Sequence, residues 1–150
     1  MKIYIGADHR GFKLKKKIAQ ILKSLGYETE DLGTNTDKVS CDYPKIAYQL
    51  ASRVARSKQG RGILVCLSGL GQVIAANKVC GAYAALCCTS EAARLSRQHN
   101  NANILVLGAK FVKSGEIRQI VKIWLETEFE GGRHQRRVNQ IKKIEKGLKL

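Results

Sequence analysis

One proline and one tryptophan occur in 150 residues, and aromatic side chains make up only 6% of the chain. So few rings offer little to stack on exposed bases, and no nucleic-acid reading motif accompanies them. No stretch approaches the roughly 18 consecutive apolar residues that a membrane span needs. The five cysteines, Cys41, Cys66, Cys80, Cys87 and Cys88, form no C-x-x-C pair and no Cys/His cluster of zinc-finger spacing. Neither G-x-x-x-x-G-K-[ST] nor G-x-G-x-x-G is present, which removes the P-loop and the dinucleotide fingerprint. Lys2-Ile3-Tyr4-Ile5 reads as a strand and lacks the apolar core of a secretory leader. The expectation is a cytoplasmic protein whose cysteines are mostly small buried hydrophobes.

Acidic residues are also scarce, 12 against 27 Lys and Arg, for a formal net charge of +15. Such a field attracts anions, whether nucleic acid, an acidic membrane face or phosphorylated metabolites. Lys13, Lys15, Lys16 and Lys17 share one predicted helix and read as its solvated face. A second group, Arg133, Arg136, Arg137, Lys142, Lys143, Lys146 and Lys149, crowds the C-terminus. The length suits a single domain spanning 1–150, with enough chain to bury a core.

Strand-like and helix-like patterns alternate throughout. Strands are expected at Lys2–Gly6, Glu28–Leu32, Gly62–Cys66, Tyr83–Leu86 and Asn103–Leu107. Leu14, Ile18, Ile21, Leu22 and Leu25 mark a first helix, with Gly26 as its stop. Ile46, Leu50, Ala51 and Val54 mark a second, entered after Asp42-Tyr43-Pro44. A third runs from Gly71 to Lys78, and a fourth starts near Ser90, a candidate cap, and reaches Gln98. Ile117, Ile120, Val121, Trp124 and Leu125 make a fifth. The pattern predicts an α/β fold, a Rossmann-like, doubly wound, five-stranded parallel sheet. After Gly131-Gly132, the stripe Val138, Ile141, Ile144 and Leu148 predicts a basic C-terminal helix whose narrow apolar edge suits a partner subunit.

Open parallel sheets bind ligands beyond the carboxyl ends of their strands. That rule gathers Asp8 and His9 after the first strand, Cys66-Leu67-Ser68-Gly69-Leu70-Gly71 after the third, and Lys110 after the fifth. The glycines of the third turn allow close backbone approach to a phosphate or oxyanion. Cys66 stands just before it, where a helix start lowers a thiol pKa. A thiolate there has the chemistry to take a proton from carbon or to attack an electrophile; a buried strand-end cysteine is the plain alternative. His99 ends the fourth helix, at the wrong edge of the sheet for its own crevice, so a catalytic role would place it in another subunit's site. Arg133 and Arg137, four apart, form a guanidinium pair for phosphate or a simple basic surface.

Several segments taken together are more specific: Gly6-Ala7-Asp8-His9 with Gly11-Phe12, Asp42-Tyr43-Pro44, Gly62-Ile63-Leu64-Val65-Cys66, Ile74-Ala75-Ala76-Asn77-Lys78, Ala93 to Asn100, and Phe129-Glu130-Gly131-Gly132-Arg133-His134. Across nearly its whole length the chain resembles the B-type ribose-5-phosphate isomerases and the subunits of galactose-6-phosphate isomerase. The resemblance implies an aldose–ketose isomerase of the pentose phosphate pathway, without metal or organic cofactor, acting as a homodimer or a dimer of dimers. By that likeness Cys66 carries a proton between C2 and C1, and Ser68 assists at the hydroxyls. His99 opens the furanose ring with Asp8 nearby, and amides around Gly69 and Gly71 hold the enediolate. His9, Arg133, Arg137 and Lys110 fall to the phosphate, and Tyr43 and Asn100 line the sugar.

Four positions, in three places, depart from the family pattern. Leu67 stands where a small residue is usual and would be strained at positive φ. Gln72 and Val73 replace an apolar–serine pair, and Lys110 replaces an arginine fork with a point charge. Ribose 5-phosphate is the favoured substrate, and these departures keep a hexose 6-phosphate of allose or galactose type as the alternative. A sugar-phosphate-binding protein without activity and a nucleic-acid-binding module are the alternatives from other classes.

Overall fold

The computed structural model describes residues 1–149. Five strands, β1 (Lys2–Ala7), β2 (Glu28–Asp31), β3 (Arg61–Cys66), β4 (Ala84–Leu86) and β5 (Ile104–Gly108), form one parallel sheet in the order β2-β1-β3-β5-β4. Six helices follow or connect them: α1 (Phe12–Ser24), α2 (Tyr43–Arg56), α3 (Leu70–Ala76), α4 (Ser90–Asn100), α5 (Ile117–Glu126) and α6 (Gly132–Glu145).

The inner strands are nearly continuous apolar runs because both faces of the sheet are covered. Successive side chains alternate between faces. Ile3, Ile5, Ile63, Val65, Leu105 and Leu107 join α1 and α5 in one core, while Leu64, Ile104 and Val106 join α2 and Ala76 of α3 in the other. The edges differ in kind. β2 is polar and tied down by ion pairs such as Lys2–Glu30 at 2.6 Å, and β4 has only three residues. At the amino-terminal edge of the sheet, fully buried Trp124 has two guanidinium groups near its rings, Arg61 at 5.5 Å and Arg97 at 6.0 Å. Those cations spend their donors on carbonyls, Arg61 on Leu125 and Arg97 on Ala102, both at 2.6 Å. Burial pushes Arg97 down to about 10.

Most expected elements are present, with ends shifted by a residue or two. The third helix runs Leu70–Ala76 rather than Gly71–Lys78. The cap of α4 is Thr89, not Ser90: its hydroxyl accepts from Ala92 N–H at 3.1 Å, and Ser90 is the first helical residue. Lys15 is not on a solvated face. It is 1% exposed, and its ammonium donates to both oxygens of Asp31 and to the Thr34 carbonyl, each at 2.7 Å. Position 15 lies three and seven residues before Ile18 and Leu22 and so shares their inward stripe. The C-terminal helix ends at Glu145, before Leu148, and its Ile141 and Ile144 are exposed.

Candidate active site

The strand order makes β1 and β3 the pair from which the chain departs in opposite directions, and the crevice of such a sheet opens there. Ala7 is in register with Val65, so the next residues, Asp8 and Cys66, leave the sheet side by side. The Cys66 thiol donates to Asp8 Oδ2 at 2.9 Å, and the other carboxylate oxygen accepts from Gly11 N–H at 2.8 Å. Both residues are buried, Asp8 4% and Cys66 8% exposed. Burial pushes the thiol above its ordinary value, and the Asp8 carboxylate acts in the same direction. Amides of Gly69 and Ser68 pull it down without reversing the shift. The lowering expected from a helix start is thus outweighed: Cys66 rests as a thiol, with a proton acceptor already in place.

The loop after β3 is held in a definite shape. Gly69 has φ +80°, a conformation that side chains rarely adopt, and Ala109 and Lys110 amides bind the carbonyls of Cys66 and Leu67 at 2.8 and 2.9 Å. Leu67 avoids positive φ: among the described residues Asn101 is the only non-glycine residue that adopts it. Leu67 is thus accommodated without the backbone strain that its bulk threatened. The Ser68 hydroxyl accepts weakly from Leu70 N–H at 3.4 Å. Tyr43, first residue of α2, lays its ring against Gly71, so close that a Cβ there would sit 2.4 Å from Cζ. His9 accepts from Cys41 N–H through Nδ1 at 3.3 Å, which puts the neutral ring's proton on Nε2.

Asp8, His9, Tyr43, Cys66, Ser68, Gly69, Gly71 and Lys110 therefore share the carboxyl edge of the sheet. His99, Asn100, Arg133 and Arg137 do not. His99 and Asn100 end α4 before β5 begins, and both arginines lie on α6. The length of β5, roughly 16 Å, separates that edge from the Cys66 edge. Around His99 the structure adds two residues that the sequence reading did not single out, Glu130 and His134. Their signals in the sequence are a spacing of four and a place in the segment Phe129 to His134. A cleft of about 620 Å³ opens between α6 and the free edge of β4, lined by Asn100, Tyr83, Ile141, Ile144 and Glu145. Gln72 of α3, a departure noted in the sequence, is fully buried with neither amide atom partnered.

Residues 3–141 match the Ribose/Galactose Isomerase family. This chain belongs to that family. A Clostridium thermocellum ribose-5-phosphate isomerase B structure superposes with a TM-score of 0.94 at 50% identity, covering 98% of this chain and 99% of that one. Ribose-5-phosphate isomerase B of Escherichia coli K12 is 44% identical, with 96% of each chain covered. The Mycoplasma genitalium enzyme, solved with bound ribulose 5-phosphate, is 44% identical with a TM-score of 0.92, over 97% of this chain and 96% of that one. As a member of the family the chain is an aldose–ketose isomerase, and no helix among its described residues is long and apolar enough to cross a membrane.

Proposed function

We propose that this protein interconverts ribose 5-phosphate and ribulose 5-phosphate by moving a proton between C2 and C1 of the open-chain sugar. The observation that carries the proposal is the Cys66–Asp8 hydrogen bond at the carboxyl edge, beside a loop of glycine-shaped backbone. The ligand of the M. genitalium relative supports a pentose phosphate as the substrate.

Asp8 accepts the thiol proton, and the resulting thiolate takes the proton from C2. Negative charge then develops on O1, where the Ser68 and Gly69 amides are the nearest preorganised donors; each such donor is worth about 3 kcal/mol in a transition state. The Ser68 hydroxyl relays the O2 proton to O1. Cys66 returns its proton to C1, which completes the ketose and regenerates the thiolate. A positioned base of this kind contributes roughly 100- to 10,000-fold. His99 opens the furanose, Asn100 and Tyr43 hold the sugar, and Arg133, Arg137, His9 and Lys110 take the phosphate. Because these groups lie on two edges of one sheet, the working site combines the Cys66 edge of one copy with the His99 edge of another. The homodimer uses the exposed Ile141–Ile144 stripe of α6 as part of its contact. Pentose phosphate metabolism in the cytoplasm is the setting that this reaction fits.

Proton NMR in heavy water tests the chemistry. Ribulose 5-phosphate carrying solvent deuterium is expected from the native protein, and none from Cys66→Ala; turnover confined to hexose 6-phosphates would overturn the substrate assignment. Mixing tests the shared site. Cys66→Ala and His99→Ala are each inactive, but their heterodimer holds one intact site, so activity returns on mixing. A mixture that forms heterodimers and stays inactive would place each site within one chain.

A further inference from the structure

The imidazoles of His99 and His134 lie face to face, with centroids 4.1 Å apart and planes inclined by 6°. Glu130 Oε2 lies near both, 4.0 Å from His99 Nε2 and 3.6 Å from His134 Nε2, without a hydrogen bond to either. The pair is unequal: the His99 side chain is 37% exposed and that of His134 only 7%. Glu130 and His134 are anchored through the backbone. Glu130 N–H donates to the Gln98 carbonyl, one residue before His99, at 3.1 Å, and His134 N–H donates to Gly131 at 3.0 Å. Arg133 Nε approaches His134 Nε2 at 3.4 Å as a donor, which requires that nitrogen to be bare and the His134 ring neutral, with its proton on Nδ1. Burial, His99 and Arg133 push His134 the same way, toward the neutral form, against the opposing pull of the Glu130 carboxylate.

Three donor atoms within 4.8 Å invite comparison with a metal site. The stacking argues against it. A zinc ion needs two imidazole lone pairs converging on one point at about 2.0–2.1 Å from each nitrogen, whereas stacked rings direct theirs along parallel planes. The same stacking suits a different task. A half-exposed histidine at a helix end has several rotamers open to it, and an acid or base works only when its nitrogen is held within hydrogen-bond reach of the group that it protonates.

We propose that His134 is a positioning residue for His99, the buried ring fixing the plane of the exposed imidazole by stacking on it. The inference rests on the reading that His99 opens the sugar ring. It also gives α6 a second duty: the helix whose Arg133 and Arg137 meet the phosphate carries, between them, the flat surface that holds the ring-opening group.

The experiment compares His134→Ala, His134→Phe and His99→Ala with ribose 5-phosphate as substrate, and records the His99 ring proton resonances by NMR. In His134→Ala the His99 resonances move downfield as the stacked ring is lost, and kcat falls about 10- to 100-fold with KM nearly unchanged. His134→Phe offers the same flat face and restores both the resonance positions and most of kcat. Unmoved His99 resonances, native kcat in His134→Ala, or a phenylalanine variant as impaired as the alanine one would each overturn the proposal. His99→Ala separates it from the reading beneath. Native turnover in that variant would remove the ring-opening role, while the resonance shift in His134→Ala would still report whether His134 holds the ring.

Discussion

Burial and a neighbouring carboxylate hold the Cys66 thiol protonated, while two backbone amides favour the thiolate. Removing the carboxylate removes one of the influences that raise it. In Asp8→Asn the pH midpoint for alkylation of Cys66, followed on its own peptide by mass spectrometry, is therefore expected to move down. An unmoved midpoint would leave burial as the whole cause. Gln72 makes a second test. Its amide is buried without partners, which costs about 1–3 kcal/mol, so Gln72→Met should raise the urea midpoint by about 1 kcal/mol or more in stability. Much of the Cys66 side of the site was legible in the sequence, because a strand end, a glycine turn and two polar residues identify themselves locally. Glu130 and His134 were not legible as a group with His99. Nothing in a chain order separated by some thirty residues says that α4 and the start of α6 will bring two rings together.

Lys15 shows how an element can conceal a residue's role. It lies within a run of lysines, yet the stripe that buries Ile18 and Leu22 also buries its ammonium against Asp31 and Thr34. Lys15→Met is expected to lower stability by about 1–3 kcal/mol in chemical denaturation, because Asp31 and a carbonyl lose a charged donor. The same change at Lys16, on the exposed face, should cost little. The alternation of strand and helix was readable because each period is carried by many residues. The cap of α4 was not, since Thr89 and Ser90 are both competent and only the backbone at the junction, extended at Thr89, decides between them. Two glycine loops make a further contrast. A Cβ at Gly11 would sit 2.3 Å from the Val65 carbonyl oxygen, which cannot yield, whereas at Gly71 it would meet the Tyr43 ring, which can. Gly11→Ala should fail to accumulate as folded protein, and Gly71→Ala should fold with a raised KM.

A surplus of fifteen positive charges surrounds a reaction whose substrate is a phosphate anion. Attraction over that range is screened within about 10 Å at 0.1 M salt, so kcat/KM should fall several-fold between low and high ionic strength while kcat holds. A flat salt profile would mean that the charge has no part in capture. At the same scale, Trp124 has a practical use. It is the single tryptophan, fully buried at the edge away from Cys66 with two arginines near its rings. The protein thus carries its own fluorophore, whose emission turns red when α5 leaves the sheet. An inactivated variant can be sorted in one cuvette: unchanged colour means that the lesion is chemical, and a red shift means that the scaffold has opened.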